Sequence, residues 1–291
     1  MYNVNPPQKT VKLVFVHHSC GSNWLADDNG KLGSALAKNN YYVSDTNYGW
    51  GPEKIGDQTD IGHWWSWFRG EKSKVYMDAL YAENEKHGDD DYYRLSGIPS
   101  GENEIILFKS CYPNSNLKGS PSDPIPPISE NPLRGLPSRS EHHTVSNAMG
   151  IYIDLLEYFK TRQDKLFITL TAPPVMNAQW SENTRLFNNW LVYEWLKEYP
   201  CKNVAVFDLY NVLTSNGGSP QINDLGLESG NHHYFKDGTI RHIIGEKCDT
   251  NKYPVGEKDN HPDAEGNLKA TGEFIDILNI FYNEWLSSKM S

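Results

Sequence analysis

The sequence lacks any apolar run long enough to cross a membrane, and its first ten residues, MYNVNPPQKT, lack the apolar core of a signal peptide. We therefore expect no membrane partner, and we favour a secreted or periplasmic location only if a leader has been removed. Cysteine is scarce as well. Cys20, Cys111, Cys201 and Cys248 form no CxxC pair, which argues against a structural zinc site.

Positive charge is also in short supply. The 291 residues include 27 Lys and Arg against 37 Asp and Glu, which gives a formal net charge of −10. A protein that binds nucleic acid needs a basic stripe to neutralise phosphates, and this chain has none. We therefore expect no nucleic-acid partner.

Aromatic residues, in contrast, are abundant. The chain has nine Trp and 17 Tyr, and such rings suit stacking against the flat apolar faces of sugars. Tyr and Trp also serve protein interfaces, so this observation is a hint of a carbohydrate partner and no more.

Apolar runs and helical patterns alternate along the chain. The runs cover 12–16, 104–108, 165–170 and 203–209, and the helical patterns cover 147–162, 183–200 and 266–288. Near-continuous apolar runs are typical of parallel strands covered on both faces. The alternation predicts a single doubly wound α/β domain over residues 1–291. Loop insertions near 45–70, 110–146 and 214–262 are expected at the carboxyl ends of the strands, where ligands bind.

Residues with reactive side chains follow the first predicted strand, in the stretch LVFVHHSCGSNW at 13–24. Ser19 follows the strand directly, and Gly21 would allow a tight turn toward a helix. This is a setting for a nucleophilic serine beside an anion site. The alternative is that Ser19 only caps the helix.

A second polar segment, KDNHPDAEGN, precedes the last predicted helix. Its His261 is far from Ser19 in sequence but can be brought to it across a parallel sheet. A nucleophilic serine needs such a base. The alternative is that the segment only begins a helix with Asp263 as N-cap, and both roles can coexist.

Taken in order, these elements resemble the SGNH (GDSL-like) hydrolase family. The resemblance implies a three-layer α/β/α sandwich with a flavodoxin-like parallel sheet. It also implies a Ser-His-Asp triad acting on acyl esters, often acetyl groups on carbohydrates. Ser19 would be the nucleophile, His261 the base and Asp259 the acid, and no cofactor is needed.

The chain departs from the family pattern in each motif. His17 and His18 stand where the family has Gly-Asp before the serine, and KSCYPNSN at 109–116 replaces its Gly-x-Asn-Asp. The family aspartate lies three residues before the histidine, whereas Asp259 lies two before His261. Asp259 therefore orients His261 only if the local geometry has adjusted. Otherwise a backbone carbonyl does so, which leaves a Ser-His dyad.

The same departures affect the oxyanion hole, the group of donors that stabilises negative charge on the reacting oxygen. We expect the amides of Ser19 and Gly21 to contribute. Asn114, or alternatively Asn116, would replace the family's asparagine if the loop folds back.

Residues 48–68, YGWGPEKIGDQTDIGHWWSWF, mix flat rings with hydrogen-bonding groups, as sugar recognition requires. The substrate-binding candidates here are Trp50, Asp57, Asp60, His63 and Trp64. Two alternatives stay open: the rings fill the core, or Asp57, Asp60 and His63 hold a divalent cation. The spacing does not match an EF-hand, which makes the cation site the weaker alternative.

Two rival functions draw on other residues. A polysaccharide lyase acting on uronic acids by β-elimination would use the segment 230–242, with His232, His233, Tyr234 and Arg241. Arg134, Arg139, His142 and His143 are further candidates for that chemistry. A non-catalytic carbohydrate-binding protein is the second rival, and its rings in 50–67 would bind the sugar.

Cys20 and Cys111 follow neighbouring strands in this arrangement. They would form a disulfide that braces the site or remain small buried thiols, and we favour thiols because free cysteine is common in protein cores.

Overall fold

The computed structural model describes residues 3–215 and 249–289 in full. Between these ranges it describes the backbone of a two-stranded antiparallel ribbon, β6 (His233–Lys236) and β7 (Thr239–His242). Within these residues no helix is long and apolar enough to span a membrane.

Five parallel strands form the central sheet in the order β2-β1-β3-β4-β5. The strands are β1 (Val11–Val16), β2 (Tyr41–Thr46), β3 (Ile105–Lys109), β4 (Leu166–Leu170) and β5 (Val204–Phe207). This is the flavodoxin-like strand order, in which ligands bind beyond the carboxyl ends of the strands. The predicted fold class is confirmed.

Helices connect the strands and cover both faces of the sheet. They are α1 (Ser19–Leu25), α2 (Leu32–Lys38), α3 (Ile61–Phe68), α4 (Ser73–Ala82), α5 (Val145–Thr161), α6 (Ser181–Tyr193), α7 (Leu209–Thr214) and α8 (Ala264–Lys289). A short antiparallel hairpin, β8 (Pro254–Gly256) and β9 (Asp259–Pro262), immediately precedes α8.

Strands β1, β3, β4 and β5 each contribute to two cores, whereas the edge strand β2 contributes to one. In β1, Val14 and Val16 pack on one face with α3, α4, α5 and α6, whereas Leu13 and Phe15 pack on the other with α1, α2, α7 and α8. Alternate residues of a strand point to opposite faces, so a strand covered on both faces is apolar throughout. For this reason the apolar runs in the sequence predicted β1, β3, β4 and β5.

Strand β2 was not predicted, because its sequence YYVSDT ends in three polar residues. These residues are nevertheless buried, and Ser44 and Asp45 are hydrogen-bonded inside the protein. The strand pairs with β1 in register from Val11↔Tyr41 to Val16↔Thr46. A polar strand of this kind is held by its partners and carries no periodic apolar signal.

The expected loop near 45–70 is largely ordered into helix. A short 3-10 turn spans Pro52–Asp57, and α3 occupies Ile61–Phe68. The pattern IGHWWSWF is apolar almost all round, which is typical of a buried helix. The expectation of a loop insertion over the whole segment is therefore wrong for its second half.

Candidate active site

Ser19 is the first residue of α1, directly beyond the carboxyl end of β1. Helix α1 lies very close to the residues that precede it, because a Cβ added at Gly21 would come within 2.3 Å of the His17 Cβ. Gly21 is thus inside the helix, where it permits a close approach, and not in a tight turn as expected. Because Gly21 has no side chain, α1 can pack against His17, and this packing sets the position of Ser19.

His17 anchors the N-terminal side of this segment by hydrogen bonds to His18 and Asp45. Its Nδ1 donates to the His18 carbonyl oxygen (2.9 Å), and its Nε2 lies 3.1 Å from Asp45 Oδ2. Asp45 Oδ1 also accepts from the Tyr92 hydroxyl (2.6 Å) and the His87 amide (3.0 Å). Burial opposes ionisation of Asp45, but these bonds outweigh burial and lower its pKa. The fully buried His17–Asp45 pair therefore anchors the end of β1 to β2.

His18 is held as a neutral ring on the other side of the segment. Its Nε2 donates to the Gly56 carbonyl oxygen (2.6 Å), and its Nδ1 accepts from the Thr59 hydroxyl (3.0 Å). Burial lowers the pKa of His18, which favours this neutral form. The Tyr48 ring stacks on it at a centroid distance of 3.8 Å. Both histidines that replace the family's Gly-Asp thus have defined structural contacts.

Ser19, His261 and Asp259 lie in one continuous hydrogen-bonded chain. Ser19 Oγ is 2.8 Å from His261 Nε2, and His261 Nδ1 is 2.5 Å from Asp259 Oδ1. The same Oδ1 accepts from the His261 amide (3.0 Å). These bonds from His261 lower the pKa of Asp259, which stays a carboxylate. A carboxylate at Nδ1 fixes the tautomer whose Nε2 accepts the serine hydrogen.

The unusual spacing of Asp259 and His261 is explained by strand β9. Residues two apart on a strand point to the same side, so the two side chains face each other without any special loop geometry. Asn260 points the other way: its Oδ1 accepts from the Met176 amide (2.7 Å), and its carbonyl oxygen accepts from Asn251 Nδ2 (3.0 Å). The hairpin is thereby fixed to the loop after β4.

The helix-start alternative for this segment also holds. Asp263 precedes α8, and its Oδ1 accepts from the Gly266 amide (2.9 Å). Asp263 is therefore the N-cap, as expected, and this role coexists with the contact between His261 and Ser19.

Two of the expected oxyanion donors are committed elsewhere. The Gly21 amide donates to the His18 carbonyl oxygen (2.8 Å) within the first turn of α1. Asn114 Nδ2 donates to Asp60 Oδ1 (2.7 Å) and to the Cys111 carbonyl oxygen (3.2 Å), so both of its hydrogens are used. The expectations for Gly21 and Asn114 are corrected accordingly.

Other amides near the nucleophile differ in what they contact. Asn116, the alternative to Asn114, donates to the Pro113 carbonyl oxygen (3.4 Å) and lies on the loop surface. The Ser19 amide, in contrast, has no backbone acceptor in the described part of the chain. Of the two backbone amides expected as donors, the Ser19 amide is the one left available.

Cys20 and Cys111 are free thiols beside the nucleophile, as favoured from the sequence. The two side chains are hydrogen-bonded to each other. The bond from Cys20 and the Lys109 ammonium, 3.6 Å from Cys111 Sγ, lower the pKa of Cys111 despite its burial. The interaction with Cys111 and burial raise the pKa of Cys20. Lys109 thus favours negative charge on Cys111 Sγ.

The aromatic residues expected to bind sugar fill the core instead. Trp64 is 0% exposed, and its Nε1 donates to the Ser110 hydroxyl (2.9 Å). Trp50 is 7% exposed, stacks on Trp67 at 5.8 Å and donates to Glu83. A ring without an exposed face cannot stack on a sugar, so the prediction that Trp50 and Trp64 bind substrate is wrong.

Asp57, Asp60 and His63 hold local structure together. Asp57 Oδ1 accepts from the Gly49 amide (2.7 Å), and Asp60 Oδ2 accepts from the Ser138 amide (2.8 Å). His63 Nδ1 accepts from the Asp60 amide (3.2 Å) at the start of α3. These polar atoms are engaged within the protein and do not converge on a ligand. Among the described residues, no group of three His, Cys, Asp or Glu side chains could hold a metal ion.

The residues named for elimination chemistry are dispersed. Arg134 pairs with Asp154 (2.9 Å), and His143 is buried with its Nε2 donating to the Asn114 carbonyl oxygen (3.2 Å). Arg139 is exposed, and His142 is half-buried. The expectations for His232, His233, Tyr234 and Arg241 lie outside the residues whose side chains the structure describes.

Two tyrosines beside the triad were missed from the sequence. Tyr48 stacks on His18, the residue directly before Ser19, and is 58% exposed. The Tyr112 ring packs edge-on against His261 at 5.0 Å. The available signal was the Asn47-Tyr48-Gly49 stretch, a turn composition, but it only becomes informative once β2 is recognised as a strand.

Comparison of the chain with protein-family models, with curated proteins and with solved structures finds no match.

Proposed function

We propose that the protein is a serine hydrolase that removes an acyl group, most simply acetyl, from a carbohydrate. The observation that carries the proposal is the hydrogen-bonded chain from Ser19 Oγ through His261 to Asp259, with distances of 2.8 and 2.5 Å. A serine, an imidazole and a carboxylate in this order are the parts of a nucleophilic triad.

In the proposed reaction, Ser19 Oγ attacks the ester carbonyl carbon while His261 Nε2 takes the serine proton. Asp259 holds the Nδ1 hydrogen and stabilises the imidazolium that forms. His261 then returns the proton to the leaving sugar oxygen, and the acyl group remains on Ser19. Water, activated by His261 in the same way, releases the acid and restores the serine.

The site is open enough for a large alcohol to leave. The side chain of Asp259 is 48% exposed and that of His261 is 22% exposed. Ser19 lies at the carboxyl end of the sheet, where parallel α/β folds bind their ligands. We therefore assign the exposed side of His261 to the leaving group.

Support for a carbohydrate comes from the exposed ring of Tyr48 beside the nucleophile, because an exposed flat ring suits stacking on a sugar face. The buried tryptophans no longer contribute to this argument. The resemblance of the motifs to SGNH hydrolases points to the same substrate class.

The test is hydrolysis of O-acetylated sugars and of a generic aryl acetate by the wild type and by Ser19→Ala. We expect kcat/KM to fall at least about 1,000-fold, because the variant lacks the nucleophile. Ser34→Ala is the matched control. Ser34 lies in α2 and its hydroxyl donates to Asp27 (2.7 Å), outside the triad, so we expect the Ser34→Ala variant to have wild-type activity. Unchanged turnover in Ser19→Ala would overturn the proposal.

The same assay separates the rival functions. An unsaturated uronate absorbs ultraviolet light and cannot arise from ester hydrolysis, so its appearance would establish β-elimination instead. Saturable sugar binding without release of acid under any condition would establish a non-catalytic binding protein.

A further inference from the structure

The base of the proposed triad is carried by a strand outside the central sheet. Strand β9 holds both Asp259 and His261, and it pairs with β8 in a two-stranded ribbon. The pairing is irregular, because its register shifts between Pro254 and Gly256. A short two-stranded ribbon is at best marginally stable by itself. Contacts outside the ribbon are therefore needed to hold His261 against Ser19.

Asn260 makes contacts of this kind. It lies between Asp259 and His261 in β9, so its side chain points to the opposite side of the strand. Its Oδ1 accepts from the Met176 amide (2.7 Å), and its carbonyl oxygen accepts from Asn251 Nδ2 (3.0 Å). Asn260 thus ties β9 to other parts of the chain through both its side chain and its backbone.

Asn251 is itself held in place by the chain around it. It is buried, and its Oδ1 accepts from the Tyr253 amide (2.9 Å). Its own amide donates to the carbonyl oxygen of Val175 (3.0 Å), the residue directly before Met176. Asn251 and Asn260 therefore bond to neighbouring residues of one loop, the loop that follows β4.

This loop is restrained and is connected to the other side of the site. It contains Pro173 and Pro174, and proline confines the backbone angle φ to a narrow range. The carbonyl oxygen of Pro173 accepts from Ser115 Oγ (2.8 Å). Ser115 ends the short 3-10 turn that begins at Tyr112, and the Tyr112 ring packs against His261. One connected set of contacts thus reaches His261 from both sides.

We infer that Asn260 is a positioning residue that sets the distance between His261 Nε2 and Ser19 Oγ. The inference rests on the proposed function and deepens it. Asp259 and His261 lie on one strand and bond to each other, so a shift of β9 moves them together. Loss of the Asn260 contact therefore lengthens the bond to Ser19 and leaves the bond between His261 and Asp259 intact. A displacement of about 1 Å is enough to cost roughly 100-fold in rate.

The first test compares Asn260→Ala and Asn260→Asp with the wild type on an aryl acetate. Alanine removes the acceptor of the Met176 amide, whereas aspartate keeps an acceptor in a side chain of nearly the same shape. We expect kcat of Asn260→Ala to fall by about 100-fold with KM little changed, because only the base is displaced. Asn260→Asp should recover most of this loss. Asn260 is half-buried, so we expect both variants to fold, and urea unfolding checks this.

Asn177→Ala is the matched control. Asn177 directly follows Met176 in the same loop and is exposed, and its Oδ1 accepts from the Gln179 amide (2.9 Å). The substitution removes a side-chain acceptor from this loop without touching the bonds to β9. We therefore expect Asn177→Ala to keep wild-type kcat.

A second test separates positioning of His261 from a general loss of structure. In a His261→Ala background there is no imidazole to position, so adding Asn260→Ala should not lower the residual activity further. A merely structural role predicts a further loss, because Ser19 and its neighbours would be disturbed as well.

Three results would overturn the inference: wild-type kcat in Asn260→Ala, an Asn260→Asp variant as impaired as Asn260→Ala, or a double variant slower than His261→Ala. If Ser19→Ala is inactive in any of these cases, the proposed function stands without the inference. If Ser19→Ala keeps wild-type activity, both fail.

Discussion

At the scale of single residues, the proposed reaction depends on His261, which contacts both other members of the triad. Its ring lies between Ser19 Oγ and Asp259 Oδ1 and packs edge-on against Tyr112. Ser19 and His261 are 242 positions apart, so no local sequence pattern could reveal the contact. The contact could still be predicted from the order of the elements. A parallel α/β fold brings a serine at a strand end and a histidine in the loop before the last helix to the same edge of the sheet.

The first prediction concerns Asp259. In Asp259→Asn the side chain has nearly the same shape, but an amide favours the wrong tautomer of His261 and cannot stabilise its imidazolium. We expect kcat to fall by about 1,000-fold or more, with KM and the urea midpoint close to wild type. The measurement is steady-state hydrolysis of an aryl acetate together with urea unfolding.

Lys258 provides the contrast, because it stands where the family pattern has its aspartate. Lys258→Ala should leave kcat unchanged, since β9 directs Asp259 to His261. An Asp259→Asn enzyme as active as wild type would mean that a backbone group orients the histidine and that the site is a dyad.

The oxyanion donors were the least predictable residues. The sequence offered Gly21 and Asn114 by analogy with a motif, but hydrogen bonds inside α1 and between Asn114 and Asp60 use their N–H groups. Which polar atoms are already engaged depends on tertiary contacts, and periodicity does not report them.

At the scale of elements, the close packing of α1 against the end of β1 sets the position of Ser19. A Cβ at position 21 would lie 2.3 Å from His17 Cβ and 2.5 Å from His17 Cγ. His17 cannot move aside easily because it is fully buried and bonded to Asp45. The helix would have to shift, and the Ser19–His261 distance with it.

We therefore predict that Gly21→Ala lowers the free energy of unfolding by about 1–3 kcal/mol, the usual cost of overpacking. It should also reduce kcat/KM at least several-fold. Gly272→Ala in α8 is the matched control: nothing lies within 4 Å of the added Cβ, so stability should rise by about 0.5–1 kcal/mol. Chemical denaturation and hydrolysis assays measure both effects. Wild-type stability and activity in Gly21→Ala would contradict this account of α1.

The elements divide into those that the sequence reveals and those that it conceals. Strands β1, β3, β4 and β5 and helices α5 and α8 follow from strong apolar patterns. Strand β2 carries buried polar residues, and the aromatic cluster of α3 suggested a sugar-binding loop although it fills the core. Aromatic rings stack equally well on sugars and on one another, and composition does not distinguish the two.

At the scale of the whole molecule, the three-layer arrangement was predictable because β1, β3, β4 and β5 carry apolar residues on both faces. The same arrangement buries several histidines. His18, His63 and His143 each have a pKa lowered by burial. Each therefore binds a proton more weakly in the folded chain than in the unfolded chain.

This predicts a fall in stability on mild acidification. Below the ordinary histidine pKa of about 6.5, the unfolded chain binds more protons than the folded one, so the free energy of unfolding decreases with decreasing pH. The carboxylates Asp45, Asp60 and Asp259 have lowered pKa values. They change the free energy of unfolding only below about pH 4, which is outside this pH range. Urea unfolding between about pH 7.5 and about pH 5 measures the slope.

The control for that slope is His143→Gln. Glutamine retains an N–H donor for the Asn114 carbonyl oxygen but does not titrate. The slope should become shallower by up to about 1.4 kcal/mol per pH unit, the value for one proton. An unchanged slope in the variant would show that His143 is not among the groups responsible.

The most direct test of the central claim is the site at which the protein reacts with a fluorophosphonate, which phosphonylates activated serines. The account predicts a mass increase of one phosphonyl group, located by peptide mass spectrometry on Ser19. His261→Ala, which lacks the base, should react at least about 1,000-fold more slowly. A phosphonyl group on another residue, or an unmodified Ser19 in protein that hydrolyses esters, would contradict the account.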